Sequence, residues 1–320
     1  MGNLLKLKKE DLAKFLSSVK EYLYAPVKTD CVRFQKISDV NSVHLDSQPD
    51  FPVKEFFFRS REKLFSFKGD KIKVDYDDPG KRIFFGLRRC DLAAIYHQDF
   101  IFMEKYNDPY YTSQRKDAVL IGYHCNTAPS KYCFCESMEL KDYYDLMFFD
   151  RKDHYLVHVK TEKGKSLLTP HFFDSGKILT SDDTRIGTHR LKNKDISKLY
   201  DSPGWKKGVD KCISCAACTA LCPTCYCHEI RDEVTLDDLK NGERIREWSS
   251  CMLKSFTRVA GDHVFREPRE ERFKQRIYHQ LQYFKKRYNV EMCTGCGRCI
   301  THCPTTIDFV EIINEMNNGK

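Results

Sequence analysis

Two stretches of this 320-residue chain repeat one spacing, Cys212-x2-Cys215-x2-Cys218-x3-Cys222-Pro223 and Cys293-x2-Cys296-x2-Cys299-x3-Cys303-Pro304. No other feature limits the fold so tightly. Three cysteines at two-residue intervals wrap a loop round three corners of a cube. The fourth, three residues further and fixed by proline, points away from that cube. In a pseudo-symmetric pair each fourth cysteine closes the neighbour's cage, the ligation pattern of two [4Fe–4S] clusters. The spacing therefore assigns Cys212, Cys215, Cys218 and Cys303 to one cluster, and Cys293, Cys296, Cys299 and Cys222 to the other. Zinc is the competing reading, but zinc takes its four ligands as two spaced pairs. It leaves two identical quartets ending in Cys-Pro unexplained. The small residues Ala216, Ala217, Gly295 and Gly297 let backbone N–H groups approach the sulfurs, one lever on potential.

The sixteen cysteines fall into tight groups, at Cys133 and Cys135, Cys212 to Cys227, and Cys293 to Cys303. That grouping points to metal or redox chemistry; a disulfide framework spreads its cysteines among loops. Met1 to Glu10 is charged and lacks a secretory apolar core. The longest apolar runs, such as Ile83-Phe84-Phe85, are strand-sized, far short of the ~20 residues of a membrane helix. A cytoplasmic protein with no membrane partner is expected. The net charge of +8 suggests nucleic acid at first sight. Each [4Fe–4S] core with four thiolates, however, carries roughly −2. Two clusters cancel about half of the excess and three cancel most of it, so no nucleic-acid partner is expected.

Along the chain, apolar residues at Leu12, Phe15, Leu16, Val19 and Leu23 have helical spacing, with Pro26 as the stop. Cys31 to Tyr76 has the punctuation of short strands and turns. Buried strands are expected at Lys81–Leu87 and Asp117–Tyr123, a helix at Asp91–Phe102, and a hairpin from Asp145–Phe149 and Tyr155–Lys160. Residues 181–206 are polar and contain Pro203-Gly204, which sets a domain boundary there. The fold class expected is an α+β domain with a mixed sheet over 1–204. An α-helical ferredoxin-like dicluster domain follows over 205–320, with helices near Glu243–Phe256 and Arg269–Tyr288.

A third cluster site follows from the two buried strands. Cys90 closes the first and precedes a helix, and Cys125 closes the second. Parallel neighbours would bring both to one sheet edge, where α/β folds hold ligands. Cys133 and Cys135 would supply the other two thiolates, and Arg88 and Arg89 positive charge. The alternative is that Cys90 and Cys125 are buried core thiols.

Several residues are left over. Cys225 and Cys227 either line a cluster or pack; Cys251, near Trp248, is core or support; Cys31 has no role in the pattern. His124 precedes Cys125 and either hydrogen-bonds a cluster or is an ordinary histidine. Arg298 is either a tuning cation or a solvated side chain, and the solvated form is expected. The Lys and Arg of 269–287 are expected on the wet face of a helix.

Gly86-Leu87-Arg88-Arg89-Cys90-Asp91-Leu92, Asp108-Pro109-Tyr110 and Cys133-Phe134-Cys135-Glu136-Ser137-Met138 resemble the N-terminal region of two related proteins. These are the β subunit of sulfhydrogenase-type soluble NiFe hydrogenases and the corresponding iron–sulfur subunit of anaerobic sulfite reductase. Cys222-Pro223-Thr224-Cys225-Tyr226-Cys227, Arg246 to Met252, Ala260-Gly261-Asp262-His263 and the second quartet extend the resemblance over nearly the whole chain. Arg89 stands where the hydrogenase relatives usually have Pro, and Ala217 replaces a usual Gly; neither removes a thiol. The resemblance implies an electron-transfer subunit without catalytic residues. Its neighbour on one side would be a catalytic subunit, either NiFe hydrogenase or sirohaem sulfite reductase. On the other side would be a flavin- and NAD(P)H-binding reductase subunit. The chain has no G-x-G-x-x-G after a strand and no P-loop, in keeping with that. Two other classes compete: an Fe–S sensor or regulatory protein, and a stand-alone flavin-dependent oxidoreductase.

Overall fold

The computed structural model describes residues 4–168, 173–175 and 187–319. Part of the polar segment expected to separate the domains, 181–186, lies outside the described residues. Twelve strands are present among those described: β1 Leu4–Lys8, β2 Leu23–Lys28, β3 Val32–Lys36, β4 Arg61–Lys68, β5 Lys71–Lys73, β6 Arg82–Leu87, β7 Ala118–Tyr123, β8 Leu146–Asp150, β9 His154–Val159, β10 Asp174–Ser175, β11 His228–Thr235 and β12 Asp238–Trp248. Eight form a mixed sheet in the order β10-β1-β9-β8-β7-β6-β2-β3. Its centre, β2, β6, β7 and β8, is parallel, and its flanks are antiparallel.

The alternation of side chains builds a core on each face of this sheet. Ile83, Phe85, Val119, Ile121, Leu146 and Phe148 pack with Phe15 and Leu16 of the helix Leu12–Ser18 on one side. Phe84, Leu120 and Met147 pack on the other with Leu92 and Ile95 of the helix Arg89–Asp99. Because β6 and β7 are buried on both faces, they are nearly continuous apolar runs, as expected for central parallel strands.

Three local expectations are corrected. Pro26 does not stop a helix; the first helix ends at Ser18, and Pro26 lies within β2 opposite Phe34. The pairing of β2 with β6 covers only Leu23 and Tyr24, so the missing N–H of Pro26 costs that ladder no bond. Glu243–Phe256 is not a helix. Glu243 to Trp248 belongs to β12, which pairs with β11 on one side and β4 on the other. The charged side chains that suit a helix here find partners across strands: Arg244 with Asp232 at 2.7 Å, Arg231 with Glu247 at 2.9 Å, and Lys63 with Glu243 at 3.2 Å.

The region after residue 205 is therefore helical and β together. Its hairpin joins β4 and β5 in a second, antiparallel sheet ordered β11-β12-β4-β5, so strands from both sides of residue 204 share one sheet. The long helical segment expected at Arg269–Tyr288 is present as Arg269–Tyr278, a π-helical turn His279–Tyr283, and Phe284–Tyr288. Its Phe284 packs with Phe100 and Met292 against the large sheet's helix, while Ile277 and Leu281 pack with Phe134, Met138 and Trp205. No helix among the described residues is long and apolar enough to cross a membrane.

Candidate metal centre

The two cysteine loops are backbone copies of each other. Two residues after the first cysteine of each, Ser214 and Gly295 have φ of 56° and 63°. Two further on, Ala216 and Gly297 have φ of 65° and 76°. A one-turn helix follows in each, Ala217–Ala220 and Arg298–Thr301. The fourth cysteine then donates its N–H to the carbonyl three residues back, Cys222 to Thr219 and Cys303 to Ile300, both at 3.2 Å. A threonine hydroxyl is hydrogen-bonded to each of these sulfurs, Thr224 to Cys222 at 3.2 Å and Thr305 to Cys303 at 3.5 Å. The two short helices pack on one another, which turns each fourth cysteine towards the opposite loop. Ala217 opens its helix with ordinary backbone; the left-handed residue is Ala216, so the absence of glycine at 217 strains nothing there.

Cys212, Cys215, Cys218 and Cys303 line one cavity of about 70 Å³, closed by Phe273, Ile277, Ile307 and Phe309. Cys222 lies within electrostatic reach of Cys293, Cys296 and Cys299. The structure thus brings together the two crossed quartets that the spacing assigns. Burial pushes the Cys218 thiol up to about 11 and Cys293 up to about 12, and raises Cys296 and Cys299 as well. Such thiols give up their protons readily only to a metal or a close cation. Among the described residues no three His, Cys, Asp or Glu side chains converge closely enough to hold a single metal ion. The first quartet rings its cavity, an arrangement that fits a thiolate at each corner of a cube.

The third group also assembles. The parallel register of β6 and β7 sets their C-terminal ends side by side. Cys90 is in the first turn of the helix Arg89–Asp99, and Cys125 lies two residues beyond β7. A small cavity is lined by Cys90, Cys125, Cys133 and Cys135, together with Arg88 and Arg89. Gln48 donates to the Cys90 sulfur at 3.5 Å, and burial raises Cys133 to about 12. The loop carrying Cys133 and Cys135 is pressed onto the second quartet. Phe134 N–H donates to the Gly295 carbonyl at 2.8 Å. A Cβ on Gly295 would stand 2.6 Å from Cys135 N, and one on Gly297 2.6 Å from the Tyr132 carbonyl. Only glycine admits this approach.

Buried cations surround these thiols, and here the sequence expectation needs correction. Arg298 is not solvated: it is 1% exposed and paired with Asp91, which is fully buried. Burial works against its charge, but Asp91 and then Cys296 hold the guanidinium above its usual range. Within 269–287, Arg272 and Lys274 are buried and not on a wet face. Arg276 lines the first quartet's cavity and donates to the Cys218 carbonyl at 3.0 Å. Lys54, 3% exposed, donates to the Cys225 carbonyl at 3.1 Å and stands 4.1 Å over the Trp248 ring. Burial lowers the Lys54 pKa, opposed by Cys225, Cys222 and Cys227. Asp91, Lys54 and Arg276 are functional candidates that the sequence reading missed. Asp91 adjoins Cys90, a signal that was there to use; Lys54 and Arg276 have no such neighbour in sequence.

Of the remaining residues, His124 stacks on Phe149 with ring centres 5.0 Å apart, and its N–H donates to the Phe148 carbonyl. Cys225 is buried and accepts from Gln280 at 3.6 Å. Cys227 is half-buried and Cys251 buried, and the two are hydrogen-bonded to each other. Cys31 is half-buried in the turn before β3.

Residues 211–307 match the 4Fe-4S dicluster domain family. The whole chain is 32% identical, over 339 aligned positions covering 98% of each chain, to sulfhydrogenase 2 subunit beta of Pyrococcus furiosus. The chain belongs to the sulfhydrogenase β-subunit family. The matched dicluster segment holds both crossed quartets, so this member of the family carries [4Fe–4S] clusters there. Membership also embraces the N-terminal half, where the third group of cysteines lies. No solved structure matches the chain.

Proposed function

We propose that this family member relays electrons through three [4Fe–4S] clusters inside a hydrogenase-type complex. The relay would run between a NiFe catalytic subunit and a flavin- and NAD(P)H-binding reductase subunit. The observation that carries the reading is the seating of the Tyr132–Cys135 loop on Gly295 and Gly297. It makes three thiol groups neighbours in a row. Cys212, Cys215, Cys218 and Cys303 come first, then Cys293, Cys296, Cys299 and Cys222, then Cys90, Cys125, Cys133 and Cys135. The name of the Pyrococcus relative favours the hydrogenase context over sulfite reductase.

Each bound cluster would take up and give back a single electron. The chain's own residues do the rest. Twelve thiols hold the three groups, and the backbone of the two quartet loops fixes their directions. Phe273, Ile277 and Phe309 keep water from the first cage. Arg276, Lys54 and Arg298 offset the negative charge gathered in the interior. A relay needs no acid, base or nucleophile of its own. On this reading the unit 205–320 holds two clusters, 1–204 holds the third, and the chain works in the cytoplasm without nucleic acid.

The test is anaerobic purification with iron and sulfide analysis. About twelve irons per chain are expected, falling by about four in Cys133→Ser. The Cys303→Ser spectrum should change in the signal altered by Cys212→Ser, and Cys222→Ser in that altered by Cys296→Ser. Iron unchanged by Cys133→Ser removes the third site. A chain that evolves hydrogen at full rate without partners overturns the relay.

A further inference from the structure

Three cysteines at the open end of the β11–β12 hairpin belong to none of the quartets. The strands pair from His228 opposite Trp248. The residue entering β11, Cys227, therefore lies beside the segment leaving β12, Ser249 to Cys251. Ser249 N–H donates to the Cys227 carbonyl at 3.0 Å, continuing the pairing one step past the strands. Two residues on, the thiol and the backbone N–H of Cys251 both hydrogen-bond the Cys227 sulfur. Cys227 is half-buried, and Cys251 is buried behind it.

The surroundings favour a reactive thiol at Cys227. A cavity of about 120 Å³ is lined by Cys227, Cys225, Lys54, Trp248 and Ser250. Lys54 has no carboxylate partner among the described residues, and its charge and that of Arg276 reach Cys227. The Cys251 hydrogen bond first, and then these cations, bring the Cys227 thiol down to about 7 against the effect of burial. A thiolate near neutral pH, exposed to a cavity and backed by a second thiol, is the arrangement of an attacking and a resolving cysteine.

We propose that Cys227 and Cys251 are a thiol–disulfide exchange pair that reduces small disulfides admitted to the cavity beside Lys54. The Cys227 thiolate attacks one sulfur of a disulfide RS–SR. The S–S bond breaks, one RS⁻ leaves and takes a proton, and Cys227 carries SR as a mixed disulfide. Cys251 releases its proton to solvent and attacks the Cys227 sulfur. The second RS⁻ leaves and is protonated. Two protein thiols are oxidised to one disulfide, and one small disulfide is reduced to two thiols. An external dithiol resets the pair by the reverse exchange.

The experiment uses the full chain, purified anaerobically with its clusters, and bis(2-hydroxyethyl) disulfide as the probe. After alkylation, peptide mass mapping should find a Cys227–Cys251 cross-link in the unaltered chain. Cys251→Ser should accumulate the probe as a mixed disulfide on Cys227, and Cys227→Ser should give neither product. Iron and sulfide content should be the same in all three. No cross-link in the unaltered chain, a cross-link only in protein that has lost iron, or a loss of iron in Cys227→Ser each overturns the proposal. The last would make Cys227 an iron ligand, a result distinct from any failure of the twelve-thiol assignment.

Discussion

Arg298 donates to both oxygens of Asp91, at 2.7 and 3.1 Å, in an ion pair that is no more than 1% exposed. Asp91 follows Cys90 and Arg298 precedes Cys299, so the pair fastens a ligand of the third group to a ligand of the second. The same guanidinium donates through Nε to the Pro49 carbonyl at 2.7 Å. A planar, bidentate donor suits this better than an ammonium could.

Removing either partner leaves the other as a buried, uncompensated charge. Arg298→Met or Asp91→Leu alone should cost about 3–5 kcal/mol. The double variant should lose much less than the sum of the two. Anaerobic denaturant titration of the four chains checks this, and additive losses would show that the two residues act separately.

Gly295→Ala separates close approach from backbone strain. Gly295 has φ of +63° and would place its Cβ 2.6 Å from Cys135 backbone; Gly261 has φ of +77° with nothing within 4 Å. Left-handed backbone alone costs about 1–2 kcal/mol in each alanine variant. Only Gly295→Ala must also push the 132–135 loop away, so it alone should lose iron, by about four per chain. Iron analysis against the Gly261→Ala control decides the matter.

The quartets were legible because cysteine spacing is a local signal that records a nonlocal object. Cys90 and Cys125 were legible for a related reason: each closes a continuous apolar strand, and parallel pairing of such strands sets their ends together. The β12 strand was not legible, since Glu243, Arg244, Arg246 and Glu247 suit a solvated helix as well as a charged antiparallel strand. Only the partners Asp232 and Lys63, far away in sequence, decide between them. Arg298 failed similarly. An arginine in a cysteine loop is expected in solvent unless a buried carboxylate awaits it, and Asp91 lies 207 residues away.

His97 makes stability depend on pH. It is 6% exposed, on the helix Arg89–Asp99, with its ring against Phe284 from the other half of the chain. Burial lowers its pKa from 6.5 to about 4. The folded state then binds fewer protons than the unfolded state between those values. Stability is complete above pH 6.5 and is lost as pH falls towards 4, by ~3 kcal/mol in all. In His97→Gln this part of the acid loss should disappear. Denaturation midpoints at pH 7.5 and 5, compared between the two chains, measure it; an equal acid loss in both would assign the loss to other groups.

Arg276 should set the potential of the clusters it faces. Its guanidinium lines the cavity of Cys212, Cys215, Cys218 and Cys303, and is also close to Cys222 and Cys299 of the second quartet. Burial disfavours that charge, but Cys225, Cys222, Cys218 and Cys299 together hold it firmly protonated. Reduction adds a negative charge to a site already negative, so a fixed cation stabilises the reduced form and raises the midpoint potential. Arg276→Gln should therefore move the first two clusters to more negative potential, by roughly 60 mV for a tenfold change in the one-electron equilibrium. Arg276→Lys should keep most of the charge and most of the potential. Lys286, exposed on the same helical segment, provides a control, because a solvated charge is screened by salt and by water. Redox titrations followed by electron paramagnetic resonance read all three variants. Equal shifts in the Gln and Lys variants would mean that the side chain acts by packing, and a shift in Lys286→Gln as large as in Arg276→Gln would mean that position in the interior is irrelevant.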